Sequence, residues 1–184
     1  KKEWEVEVLQ GEFTITYVLN GGSNSENNPT KYDARELPLV LAAATKEHKT
    51  FLGWTKEENS TDYLTEISAG STGDITLYAN FADIIHNITY ELDGGVLPSD
   101  APVTFVEGEA VQLVTPTKEG YNFLGWKLNA KGAYVTEIPA DVTEDCTLNA
   151  YWEKIIVYSK INYQLNGGTN PANAPKEYAE GKGC

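Results

Sequence analysis

Apolar and polar residues alternate strictly from Thr14 to Leu19: Ile15, Tyr17 and Leu19 fall on one side, Thr14, Thr16 and Val18 on the other. A period of two with one apolar face predicts a half-buried strand. The pattern returns in Asn87-Ile88-Thr89-Tyr90-Glu91-Leu92 and in Lys160-Ile161-Asn162-Tyr163-Gln164-Leu165. Each block runs into Asn-Gly-Gly or Asp-Gly-Gly, a turn signal, because Asn and Gly tolerate positive φ. A second strand is expected at 30–33 and again at 103–106, closing a hairpin with a long loop.

The spacing shows that the chain is built from an internal repeat, a feature to be sought before any other. Tyr17, Tyr90 and Tyr163 are equally spaced. Phe51-Leu52-Gly53-Trp54 returns as Phe123-Leu124-Gly125-Trp126 at an interval one residue shorter. Tyr63–Ile67 returns as Tyr134–Ile138, and Ile75–Phe81 as Cys146–Trp152, each at an interval shorter by one more. Offsets that change by single residues imply fixed strands joined by loops of slightly different length. The expected division is an end of a preceding repeat at 1–12, repeat one at 13–82, repeat two at 83–153, and a linker with a partial third repeat at 154–184. Glu3-Trp4-Glu5 matches Tyr151-Trp152-Glu153 in type, which is why the first residues read as the tail of another copy. Both ends read as cut, so the chain is expected to be a window on a longer protein, and a signal peptide would lie outside it.

The repeat also resolves an ambiguous stretch. Arg35–Glu47 carries three leucines, a valine and three alanines and on its own suggests a helix. Its counterpart, Gly108–Glu119, is β-branched and alternating, and places Pro116 opposite Ala44. Proline inside a helix costs about 3 kcal/mol. The stretch is therefore expected to be mainly extended, with Leu39 and Leu41, and likewise Val111 and Leu113, facing inward. Gly120 becomes His48 in repeat one, and His is among the more tolerant replacements where φ is positive. The segment 55–74 is polar and turn-rich, with room for a short helix around Tyr63–Ile67. Ile75–Phe81 is the closing strand. Each repeat then holds four or more short strands and little helix in roughly 70 residues, enough to fold alone.

The joint pattern Ile-x-Tyr-x-Leu-x-Gly-Gly, then Pro116-Thr117-Lys118-Glu119-Gly120-Tyr121-Asn122-Phe123-Leu124-Gly125-Trp126, then Asp145-x-Thr147-Leu148-x-Ala150-x-Trp152 resembles the Listeria–Bacteroides repeat, the B-repeat type of the listerial internalins. Repeat one departs from it at Ala44, His48 and Lys49. The resemblance implies a mainly β (α+β) fold of tandem small β-grasp-like modules, each a short mixed sheet with little helix. It implies repetition on secreted or surface-anchored bacterial proteins, and it brings no catalytic residue with it. The residues that carry the repeat as a structural motif are Tyr17, Gly21, Gly22, Gly53, Trp54, Tyr90, Gly94, Gly95, Gly125 and Trp126.

Composition narrows the function classes. Lys+Arg 14 against Asp+Glu 27 gives a net charge of −13, which disfavours nucleic acid and anionic membrane surfaces. No run approaches the roughly 18 apolar residues of a membrane span. Two cysteines and two histidines exclude a disulfide-dense scaffold and speak against a Cys/His zinc centre. Cys146 takes the strand position of Ile75 and is expected to be a small buried hydrophobe. Cys184 lies in another copy, and no bond between the two is expected.

The candidates for chemistry are few. Trp54 and Trp126 follow glycine at the same place in each copy and are expected in the core rather than as sugar-stacking platforms. Trp4 and Trp152 are expected to pack between repeats. Glu57, Glu58, Asp62, Asp141, Glu144 and Asp145 come nearest to an acidic cluster. None sits in a dense Asp-x-Asp-x-Asp-Gly loop, so a solvated acidic surface is expected. Glu66 and Glu137 are matched carboxylates, but glycosidase chemistry needs a pair roughly 5 to 10 Å apart across a cleft. His48 and His86 read as ordinary loop or linker residues. No catalytic residue, cofactor or metal is assigned.

The expectation is a non-enzymatic tandem repeat at the bacterial cell surface or secreted, acting as stalk or spacer and supporting adhesion. The linkers 82–87 and 153–160 hold Ile84 and Ile85, and Ile155, Ile156, Val157 and Tyr158. Flexible spacers are rich in Gly and Ser instead, so neighbouring repeats are the expected partners. The alternative is a direct adhesin that binds a host protein or glycan through a repeat face or sheet edge.

Overall fold

The computed structural model describes residues 11–181. Repeat one contains β1 (Glu12–Val18), β2 (Lys31–Asp33), β3 (Leu39–Val40), β4 (Lys49–Thr55), β5 (Glu66–Ile67) and β6 (Ile75–Asp83). Repeat two contains β7 (Ile85–Glu91), β8 (Thr104–Val106), β9 (Val111–Gln112), β10 (Tyr121–Leu128), β11 (Glu137–Ile138) and β12 (Cys146–Lys154). A last hairpin follows, β13 (Tyr158–Lys160) and β14 (Glu177–Ala179). Among the described residues the one helical element is a single 3-10 turn, Ala34–Glu36.

Each repeat forms a mixed four-stranded sheet, in the order β2-β1-β6-β4 and β8-β7-β12-β10. The first strand pairs antiparallel with the second and parallel with the closing strand, which pairs antiparallel with the fourth. The nine-residue closing strand serves two partners. Its first half lies beside Ile15–Val18 or Ile88–Glu91, and most of its length lies beside β4 or β10. Leu77 and Leu148, at its centre, are fully buried.

By contact the chain divides into two compact units. One holds the residues up to Asn87 with Thr104–Ala110 and Pro139–Glu144. The other holds Ile88–Val103, Val111–Ile138 and Asp145 onward.

The stretch Arg35–Glu47 is extended apart from the 3-10 turn, and Leu39 pairs with Ile67. His48 and Gly120 both have positive φ, 56° and 75°. The segment around Tyr63–Ile67 is not a helix. Leu64 donates its N–H to the carbonyl of Trp54 at 2.8 Å, and Glu66–Ile67 is a strand. Backbone partners far along the chain outweigh the local tendency there.

The third copy also differs from its counterparts. Its hairpin closes, yet Ile161–Leu165 is not a strand. In the first two copies that block gains its ladder from a parallel closing strand, and none lies beside it among the described residues. Tyr163 and Leu165 are accordingly 42% and 41% exposed. Cys146 is buried as a free thiol, and burial pushes its pKa up. The readings of Trp4, Cys184 and the tail of a preceding repeat fall outside the described residues.

Candidate functional site: the repeated core and a carboxylate between two histidines

Trp54 and Trp126 stand in an aromatic core with Tyr17 and Tyr90 packed on them, whereas Gly21 and Gly94 are exposed at turns. Trp54 and Trp126 are 1% and 2% exposed. Their indole N–H groups donate to the carbonyls of Ala42 and Val114, both at 2.9 Å. Tyr17 meets the Trp54 ring edge-on at 5.0 Å, and Tyr90 meets Trp126 at 5.3 Å. Each tyrosine hydroxyl donates to a proline carbonyl further along its own copy: Tyr17 to Pro29, Tyr90 to Pro102 and, in the third copy, Tyr163 to Pro175. Burial of the Tyr17 phenol pushes its pKa up to about 12.

The paired glycines have two separate reasons. Asn20-Gly21 and Asp93-Gly94 carry the consecutive positive φ angles of a primed turn. Gly22 and Gly95 have ordinary backbones but no room. An added Cβ would lie 2.7 Å from the Phe81 ring in one case and closer still to the Trp152 ring in the other. Gly53 and Gly125 sit at the bulge in β4 and β10, where Tyr63 or Tyr134 lies over the missing side chain. Trp152 thus packs inside its own copy, against Gly95 and edge-on to Phe123 at 5.3 Å, with its N–H on the Leu92 carbonyl at 2.9 Å. That corrects its expected place between repeats.

The acidic residues singled out in the sequence do not converge. Among the described residues no group of three or more His, Cys, Asp or Glu side chains is arranged to hold a metal ion. Glu66 and Glu137 each lie on a two-residue strand, one in each copy. A recess bounded by Glu12, Lys31, Asp33 and Arg35 is open and polar. No described helix is long and apolar enough to cross a membrane.

Two features were not legible as sites. The first lies wholly in the first compact unit. His48 Nδ1 is 3.1 Å from one oxygen of Glu107, and His86 Nε2 is 2.9 Å from the other. His48 Nε2 faces the Glu47 carboxylate at 3.4 Å. Glu107 and His86 are mostly covered, and His48 is about one-third exposed. Hydrogen bonds from His86 and then His48 hold the Glu107 carboxyl below its usual range. Reading both histidines as ordinary loop or linker residues is therefore corrected. They occupy unmatched repeat positions far apart in the sequence, and no spacing rule joins them to Glu107.

The second feature lies on the outer face of repeat two. Tyr134 and Tyr151 meet edge-on at 5.8 Å, and the Lys127 ammonium lies 5.4 Å and 4.9 Å from their ring centres. Such cation–π contacts are worth about 0.5–1 kcal/mol at exposed sites. Repeat one has Thr55 and Asn80 at the positions of Lys127 and Tyr151, and there the Asn80 amide donates to Thr55 Oγ1 at 3.0 Å.

The model of the Listeria-Bacteroides repeat domain matches residues 13–80 and 86–151. The chain belongs to the Listeria-Bacteroides repeat family. Two proteins of Evansella cellulosilytica, provisionally named "Gly-rich membrane protein" and "membrane protein", are each 30% identical to it over 96% of its length. Internalin H of Listeria monocytogenes is 36% identical over 62% of it. The chain spans 20%, 25% and 20% of these three relatives. No solved structure matches it. The Listeria-Bacteroides repeat is a module of internalin-like surface proteins, a family not known for enzymes. Trp54 and Trp126 of its motif lie in the core here.

Proposed function

We propose that the chain is a non-enzymatic spacer in a bacterial surface protein, held outside the cell, where stacked copies carry other domains away from the surface. One observation carries this reading. The Tyr-Trp-Phe group and its glycines return in both copies, and the Tyr-to-Pro hydrogen bond recurs at a constant pitch, while exposed positions such as Thr14/Asn87/Lys160 and Lys31/Thr104/Glu177 vary. A spacer must preserve its fold but not its outer face. The net charge of −13 keeps such an array soluble and self-repelling.

The apolar linkers favour neighbouring copies that pack on one another rather than swing freely. Small-angle scattering of the whole chain tests this, and a profile requiring freely jointed modules would overturn it. Binding of the chain to host cells and to a broad glycan panel tests the spacer role, with no saturable binding expected. A second reading, direct adhesion, is favoured by the Lys127–Tyr134–Tyr151 group, in which Tyr134 is exposed and the other two are half-buried. Saturable binding lost in Tyr134→Ala would establish it.

A further inference from the structure

We propose that His48, Glu107 and Glu47 form a proton-operated clasp, which tightens the turn before β4 onto the end of β8 as the pH falls from about 7.5 to 5.5. The argument rests on the number of donors. His48 faces a carboxylate at each ring nitrogen, Glu107 at Nδ1 and Glu47 at Nε2. A neutral imidazole has a single N–H, so one nitrogen then turns a lone pair toward a carboxylate. Only the imidazolium donates at both. The Nδ1 bond to Glu107 is then charge-assisted, the stronger class, while the Nε2 contact with Glu47, at 3.4 Å and with that carboxylate 89% exposed, adds only a screened attraction. Histidine is the residue type suited to such a switch, since its side chain gains charge near neutral pH.

The surroundings hold the parts in place. The His48 ring lies on Gly108, whose added Cβ would be 2.7 Å from ring atom Cδ2, so the contact needs a glycine there. The second Glu107 oxygen is held by His86 Nε2, and the His86 ring tilts against Phe105 at 5.2 Å. The neighbouring cation, Lys49, is engaged by Asp83 at 2.5 Å. The end of β8 is tied down by the Glu107 N–H on the Ile84 carbonyl at 2.9 Å.

The chain contains its own control. Glu180 stands in the last hairpin at the position of Glu107, and its N–H bonds the Val157 carbonyl at 2.8 Å. Its carboxylate accepts from the Ser159 hydroxyl at 2.5 Å, in the place of His86. The turn residue corresponding to His48 is Gly120. The second arrangement keeps the carboxylate and the backbone bond but has no imidazole. The proton response belongs to the first alone, and holds whether the array acts as a spacer or an adhesin.

Amide hydrogen exchange on the whole chain, corrected for the intrinsic pH dependence of exchange, tests the clasp. Protection of the Glu107 and Glu109 amides should rise about tenfold from pH 7.5 to 5.5, the size of one charge-assisted hydrogen bond gained. The Glu180 amide should show no such rise. His48→Gly installs the residue that repeat two already carries at this positive φ, so it should fold and lose the part of the response that His48 supplies, His86 still facing the other Glu107 oxygen. Glu47→Gln, which removes only an exposed and screened contact, should lower the rise slightly. Equal protection at the two pH values in the wild-type chain, or a full response surviving in His48→Gly, would overturn the proposal.

Discussion

Repeat one and repeat two bury the same aromatic group by different means. The ring geometries nearly superimpose: Phe51 meets Trp54 at 5.4 Å and 65°, and Phe123 meets Trp126 at 5.3 Å and 68°. The layer around them differs. Repeat one uses hydrogen bonds. The Asn28 side chain donates to the Ala42 carbonyl at 2.9 Å and accepts from the Ala42 N–H at 2.7 Å, and the Tyr32 hydroxyl donates to the Gly73 carbonyl at 2.7 Å. Repeat two has Ala101 for Asn28, Val114 for Ala42, Phe105 for Tyr32 and Trp152 for Phe81. It fills the same space with apolar bulk. The comparison separates what the scaffold requires, the Tyr–Trp–Phe group and its glycines, from what either chemistry can supply.

If that separation holds, removing the central ring must cost both copies alike. Trp54→Ala and Trp126→Ala should each destabilise their own copy by about 3–5 kcal/mol, the range for large aromatic truncations in a core. Segment-resolved hydrogen exchange in increasing urea reads each copy separately. A large loss in one copy with a small loss in the other would break the equivalence.

The second glycine of each turn sharpens the comparison. Gly22→Ala and Gly95→Ala should each cost about 1–3 kcal/mol through overpacking. The obstacles differ, however. At Gly95 the nearest atom belongs to the Trp152 ring, whereas at Gly22 the backbone oxygen of Thr45 lies at 2.6 Å beside the Phe81 ring. Trp152→Phe should therefore recover part of the loss in Gly95→Ala, and Phe81→Leu should recover little in Gly22→Ala. Thermal unfolding of the two double variants decides this, and equal recovery would show that the backbone contact gives way.

The buried amide is specific to repeat one. Asn28→Ala should cost about 1–3 kcal/mol, because the Ala42 N–H loses its partner while remaining covered. Repeat two carries Ala101 at the same place and makes no such amide bond. Chemical denaturation of Asn28→Ala beside Ala101→Gly checks the size and its confinement to repeat one.

Much of this fold was legible because the chain states it twice. Arg35–Glu47 read alone favours a helix, and the β-branched alternation of its counterpart, with Pro116 opposite Ala44, argues it into extended backbone. Tyr63–Ile67 had no such informant. Its two copies, Tyr-Leu-Thr-Glu-Ile and Tyr-Val-Thr-Glu-Ile, carry no breaker, and its true partners are Trp54 and Leu39–Val40, far along the chain. Trp54 and Trp126 are legible as core because a ring that follows glycine at the same place in each copy has a steric reason to recur, whereas Leu52 and Leu124 of the same block are exposed. The Glu107 clasp was hidden for the opposite reason. His48 stands where repeat two has Gly120, His86 where the last hairpin has Ser159, and Glu107 where repeat one has Ala34. A repeat reveals what its copies share, and this cluster is made of positions at which they differ.

The smallest expected effect lies at another such position. Asp33, where repeat two has Val106, accepts from the Arg35 side chain at 3.0 Å and 2.5 Å and from the Arg35 backbone N–H at 2.9 Å. The side-chain hydrogen bonds first, and then the backbone one, lower its pKa to about 2. The unfolded value is about 3.9, so the folded state favours the ionised form. Its stabilising effect is complete above about pH 4 and is lost as the pH falls through about 2. The pair is exposed, and exposed pairs contribute little. The test is therefore the shape of the acid limb. An asparagine in its place would still accept the Arg35 N–H, since asparagine serves as well as aspartate at a cap, but it cannot titrate. Asp33→Asn should flatten the decline of repeat-one stability between pH 4 and 2 and leave that of repeat two unchanged, read by hydrogen exchange in each copy. An acid limb unaltered in repeat one would mean that the Arg35 fork does not survive in solution, and that this local difference between the copies has no thermodynamic weight.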